Sequence, residues 1–83
     1  MDSGLLDAIY DRANSKHALK DLQGALSDYT FIQNLFDLED EDADFWLWMA
    51  YDGSGHVKKE LKDYQGALKD FSIAIKLIPH FYF

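Results

Sequence analysis

Apolar side chains return at three- and four-residue intervals along most of this chain, the spacing that places them on one face of an α-helix. The clearest run is Ala67, Leu68, Phe71, Ala74, Ile75 and Ile78. A weaker stripe, Tyr51, Ser54, Gly55, Lys58 and Leu61, precedes it. No stretch shows the sustained two-residue alternation of β-branched residues that would mark a strand, so no sheet is expected. The pattern predicts an all-α fold of four helices, near residues 4–18, 22–36, 44–60 and 64–78. The breaks between paired helices fall at Lys20-Asp21 and Lys62-Asp63. Asp63 is a natural N-cap, and Pro79, unable to continue a helix, closes the last element.

The chain also repeats itself. Shifted by 42 residues, KHALKDLQGALSD (16–28) falls on KKELKDYQGALKD (58–70). Between residues 8–36 and 50–78 eleven positions are identical, among them Lys16/Lys58, Asp21/Asp63, Gly24/Gly66, Ala25/Ala67 and Asp28/Asp70. Chance would supply roughly two, so the chain is built from a duplicated helix-turn-helix unit.

The second unit resembles a tetratricopeptide repeat (TPR). That motif has an aromatic early in its first helix, then a Leu-Gly pair and a Tyr. The second helix carries Ala, an aromatic and Ala, and a Pro closes the unit. Onto those places fall Tyr51, Ser54-Gly55, Lys58, Ala67, Phe71, Ala74 and Pro79, with Ser54 and Lys58 departing from the pattern. In the first unit Ala25 and Tyr29 match, Ala13 stands for the glycine and Ile9 for the aromatic, while Ile32 replaces a small residue and Asp37 the proline. A physical reason accompanies the likeness. Gly55 and Ala67 let two helices approach closely, and Phe71 and Tyr29 fill the space left between neighbours.

The resemblance implies an α-solenoid fragment of two units in a single domain. Repeat one covers about 6–37 and repeat two about 48–79, with an acidic insertion at about 38–45 and the cut-short start of a further helix at 80–83. The insertion accounts for a period of 42 rather than the family's 34 or so. The resemblance further implies that the first helix of each unit lines a concave surface receiving a peptide or another protein. The residues at those positions are Tyr10, Asn14, His17, Met49, Asp52, His56 and Lys59. A subgroup of the family clamps the C-terminal carboxylate of heat-shock chaperones with Lys and Asn on this surface. Only Asn14 fits that pattern, so a chaperone clamp is not expected.

Charge narrows the function classes. Fifteen acidic against eight basic residues give a net charge of −7, and no Lys or Arg occurs between Lys20 and Lys58. Nucleic-acid binding, which needs a basic face to neutralise phosphates, is not expected. The longest apolar run, Phe45–Tyr51, has seven residues, far short of the ~20 needed to cross a bilayer. With no basic-then-apolar leader at the start, the expectation is a soluble, cytoplasmic protein.

Reactive chemistry is sparse. There is no cysteine, no serine in a nucleophile elbow and no phosphate-binding glycine loop, so neither catalysis nor a cofactor is expected. The segment DLEDEDADF (37–45) carries six carboxylates that could attract a hard cation such as calcium, giving a divalent-cation-responsive module as the weakest alternative. It lacks the ligand spacing of a calcium loop. Asp52-Gly53-Ser54-Gly55-His56-Val57 imitates part of such a loop, but Ala50 and Leu61 occupy its essential end positions. Asp52, His56 and Glu60 share a helix face, yet their ends lie about 12 Å apart and cannot reach one zinc ion together. No metal site is assigned.

The other alternative is a self-assembling structural unit. Repeat arrays need covered ends, and two units without a polar cap leave apolar faces open. Trp46, Trp48, Phe81, Tyr82 and Phe83 are the candidate interface of a homo-oligomer, expected to be a dimer. Neither Gly nor Pro occurs between Gly24 and Gly53. The second and third helices could therefore run together, or be joined by an adjustable hinge, and pair with a second copy in a domain swap.

Overall fold

A computed structural model describes residues 3–38 and 43–78. The described chain forms four helices and no strand: α1 (Ser3–Ala18), α2 (Leu22–Leu35), α3 (Asp44–Glu60) and α4 (Tyr64–Leu77). α1 packs on α2, α2 on α3 and α3 on α4, while α1 and α3 touch more lightly. The helices thus stack in chain order.

The two hairpin turns are built atom for atom alike. In the first, Lys20 N–H donates to His17 C=O (3.0 Å) and Asp21 N–H to Lys16 C=O (2.8 Å). In the second, Lys62 N–H donates to Lys59 C=O (3.0 Å) and Asp63 N–H to Lys58 C=O (2.8 Å). These paired bonds are a Schellman motif, which satisfies the last carbonyls of the incoming helix. The same aspartates then start the next helix: Asp21 Oδ1 accepts from Gly24 N–H (3.1 Å) and Asp63 Oδ1 from Gly66 N–H (3.0 Å). One residue therefore ends one helix with its backbone and caps the next with its side chain.

The motif needs a left-handed residue, and both copies use lysine there, at φ 67°. A side chain in that region costs roughly 1–2 kcal/mol, part of which glycine would return as lost chain entropy. Lys62→Gly is therefore expected to stabilise the protein by about 0.5–1 kcal/mol, read as a raised thermal midpoint.

Close packing follows from small residues at the crossings. Ala13 and Ala25 are fully buried between α1 and α2, and Gly55 and Ala67 hold the equivalent places between α3 and α4. Tyr29 fills the junction of three helices, with Ala13, Ala25 and Val57 around it. α3 carries two interior glycines because two rings press on it. A Cβ at Gly53 would lie 2.5 Å from the Tyr29 ring, and one at Gly55 would lie 2.8 Å from Phe71. Two further apolar clusters complete the core. Leu6, Ile9, Ile32 and Ala50 pack where α1, α2 and α3 meet, and Ala43, Leu47 and Leu77 pack between α3 and α4.

A continuous α2–α3 helix is not what forms. α2 stops at Leu35, Phe36 turns extended (φ −127°, ψ 151°), and α3 begins at Asp44, whose carboxylate favours a helix N-terminus. Phe36 is drawn out of the helix to pack on both neighbouring apolar clusters. Glu39–Asp42 and 79–83 lie outside the described residues. With them go half of the acidic insertion, the closing Pro79 and the proposed interface residues Phe81, Tyr82 and Phe83.

Candidate interaction surface

Beneath the surface each unit holds one buried carboxylate. Asp28 on α2 accepts from Arg12 Nε (2.9 Å) and Nη2 (2.8 Å) and pairs with Lys16 Nζ (3.3 Å), both on α1. Asp70 on α4 pairs with Lys58 Nζ (2.9 Å) and accepts from Ser54 Oγ (2.7 Å), both on α3. The hydrogen bond from Arg12 holds the Asp28 carboxyl below its usual range, outweighing the opposing effect of burial.

Ser54 thus departs from the repeat pattern for a reason. Its hydroxyl lies 2.7 Å from Asp70 Oδ2 and 3.2 Å from the Tyr51 carbonyl, both acceptors, while Gln33 Nε2 on α2 donates to Ser54 Oγ (2.8 Å) and also lies 3.2 Å from the Ala50 carbonyl. The chain Gln33–Ser54–Asp70 ties α2, α3 and α4 together. Sequence reading saw the identities Lys16/Lys58 and Asp28/Asp70 without seeing the ion pairs they encode.

Above this frame lie the groove residues. Tyr10, Asn14 and His17 project from α1, and Met49, Asp52, His56 and Lys59 from α3, each set at the three- and four-residue spacing of one helix face. Tyr29 connects the two sets. Its hydroxyl donates to Asn14 Oδ1, and its ring meets Tyr10 edge-on at 6.0 Å. Burial, with the nearby Tyr10, Asp52 and Asp28, pushes the Tyr29 hydroxyl up to about 12. The structure therefore brings Tyr10 and Asn14 onto one buried ring, with the Asp52 carboxylate near enough to act on its hydroxyl electrostatically.

The remaining groove residues have other neighbours. His56 sits 3.7 Å from Asp52 and edge-on to Phe71 at 5.0 Å. His17 Nε2 lies 2.8 Å from Glu60 Oε2, and Lys20 Nζ lies 3.2 Å from Glu60 Oε1, so the C-terminal ends of α1 and α3 are bridged. These two contacts, Lys20 first, hold the Glu60 carboxyl below its usual range. Met49 is half-buried and Lys59 exposed. Glu60 was missed as a bridging residue. Its counterpart in the first unit is Ala18, so the duplication carries no signal for it. Asp52, His56 and Glu60 do not converge, and no metal-holding group of His, Cys, Asp and Glu occurs among the described residues.

The two tryptophans nominated as interface residues are half-buried against their own chain. Trp46 packs on the cluster of Leu6, Ile9, Ile32 and Ala50, and Trp48 on that of Ala43, Leu47 and Leu77. Phe45 is the exposed member of this aromatic group, with ring centroids 5.7 Å from Trp46 and 6.3 Å from Trp48.

The phenol makes the site's pH dependence specific. A raised folded value means that the Tyr29 contribution is complete below pH ~10, the ordinary tyrosine value, and is lost as pH rises through about 12. Ultraviolet titration is expected to show one tyrosine ionising near 12, and Tyr29→Phe is expected to remove that step.

No enclosed pocket forms among the described residues, so the surface is open rather than a cleft. No described helix is long and apolar enough to cross a membrane. No protein-family model, curated protein or solved structure matches this chain.

Proposed function

We propose that this chain is a protein–protein interaction module of the TPR kind, which receives a peptide or protein segment across the outward faces of α1 and α3 and performs no chemistry on it. The observation that carries this reading is that Tyr10 and Asn14 of α1 both meet Tyr29, whose ring lies over Gly53 of α3, next in the chain to Asp52. The polar groups of two helices from two repeats are thereby held in fixed relation before any partner arrives. Preorganisation of this kind lowers the ordering cost of binding. The Glu60 bridge to His17 and Lys20 adds to it by setting the spacing at one end.

The chemistry offered is mixed. An aromatic edge, an amide, a carboxylate, an imidazole and the Lys59 ammonium lie within two helix faces. That suits a segment with both polar and aromatic side chains. A random-peptide display selection on the intact chain tests the reading. Selected peptides are expected to lose at least about tenfold in affinity on Tyr10→Ala or Asp52→Ala. Selected peptides indifferent to both substitutions would contradict the surface assignment.

A further inference from the structure

The duplication makes the outer face of α4 readable. Leu22, Leu26, Tyr29 and Gln33 on α2, with Phe36 just past its end, are all buried or half-buried at the junction with α3, where Tyr29 and Gln33 touch α3 directly and Leu22, Leu26 and Phe36 pack on clusters that α3 shares. Forty-two residues later the same places on α4 hold Tyr64, Leu68, Phe71, Ile75 and Ile78. Here Tyr64, Leu68 and Ile75 are 63 %, 68 % and 64 % exposed, and Phe71 and Ile78 are half-buried. Spacings of four, three, four and three keep the five in one row along the helix. The single polar member of the α2 row, Gln33, has become Ile75, so the uncovered row is more apolar than the covered one.

The covered row also shows what covers it. α3 runs across α2 with Trp46, Ala50, Gly53 and Val57, one residue at each level. Phe36 and Trp46 share a cluster, Gln33 donates to the Ala50 carbonyl, the Tyr29 ring lies over Gly53, and Ala25 packs with Val57. The residue numbers rise on one helix as they fall on the other, so the crossing is antiparallel. The glycine is needed because the ring leaves no room for a Cβ.

We infer that the outer face of α4 is a second docking site, whose occupant is an amphipathic α-helix running antiparallel to α4. That helix presents a glycine under Phe71, with a small residue three positions before it and apolar residues seven before and four after. The site is the counterpart of the α2–α3 junction one unit further on.

The exposed start of a second copy is the wrong occupant. The α1 residue equivalent to Gly53 is Asp11, exposed and charged. In the same register its Cβ would enter the Phe71 ring and its carboxylate would be buried without a partner. Head-to-tail stacking of copies is thereby blocked.

The probe is a synthetic peptide of this chain's own residues 43–61, titrated into the isotope-labelled intact protein. Saturable amide shifts are expected along Tyr64, Leu68, Phe71, Ile75 and Ile78. Affinity is expected to fall at least about tenfold with Leu68→Glu in the protein, or with Gly53→Leu in the peptide. Leu68 is exposed, so an unchanged circular dichroism spectrum verifies the fold of that variant. Four outcomes would overturn the inference. They are no saturation at millimolar peptide, equal binding of the Gly53→Leu peptide, shifts confined to α2 or to the Tyr10–Asp52 surface, and a dimer that Leu68→Glu dissociates but the peptide does not compete away.

Discussion

Tyr29→Ala is expected to destabilise the protein by about 3–5 kcal/mol, the range for removing a fully buried aromatic. Phe71→Ala, at the equivalent place in the second unit, should cost only about 1–2 kcal/mol. The two rings occupy matching positions in a duplicated sequence and differ in what surrounds them. Tyr29 is 1 % exposed, with α1 on one side and α3 on the other. Phe71 lies on Gly55 and His56 of α3 alone and is half-buried. Truncating Tyr29 opens a cavity over Gly53, which has no side chain with which to fill it. A domain of this size has about 4–12 kcal/mol in total, so urea unfolding should show a midpoint lowered severely by Tyr29→Ala and mildly by Phe71→Ala. Equal losses would mean that the two junctions are equally packed, against the geometry described above.

The second large effect concerns the buried carboxylates, and the two copies again differ. Asp70→Ala removes the partner of Lys58 and the nearer of two acceptors of the fully buried Ser54 hydroxyl, breaking the Gln33–Ser54–Asp70 chain. Stripping one partner from a buried pair costs about 3–5 kcal/mol. The Lys58 side chain is 24 % exposed and regains some water, which lowers the expected loss to about 2–3 kcal/mol. Asp28→Ala should cost less, because the Arg12 side chain is 60 % exposed and rehydrates more freely. Asp28 nevertheless contributes to acid sensitivity. Its folded value lies below its unfolded one, so its contribution is complete above the ordinary carboxylate value near 3.8 and is lost as pH falls below that. Thermal midpoints at neutral pH check the ranking: Asp70→Ala should lower the midpoint more than Asp28→Ala.

Helix positions were legible because periodicity and capping agree. Three of the four expected elements differ from those observed by one residue at an end, and the third, 44–60, coincides; Asp63 caps as its position suggested, and Asp21 caps in the same way. The alikeness of the two units was legible from the identities alone, and the matching turns are its structural expression. What escaped the sequence lies at the junction between units. Gly53 supports Tyr29 across that junction, and its duplicate is Asp11, so comparing the copies hides its role. The lysines at positive φ escaped because lysine is not a residue that announces a left-handed turn. His17 read as a free groove residue because its partner, Glu60, is 43 positions away with no counterpart in the first unit. Trp46 and Trp48, named as interface candidates, lie half-buried because the first turns of α3 fold them partly onto the core.

These junction contacts hold the Tyr10 and Asn14 face of α1 against Tyr29 and set Tyr29 on Gly53 of α3, and the functional reading depends on that arrangement. Amide shift mapping of the intact chain with a display-selected peptide tests it most directly. The account predicts saturable shifts centred on Tyr10, Asn14, Asp52 and His56, together with a downfield or upfield displacement of the Tyr29 ring signals. Saturable binding that leaves α1 and α3 unshifted would contradict it.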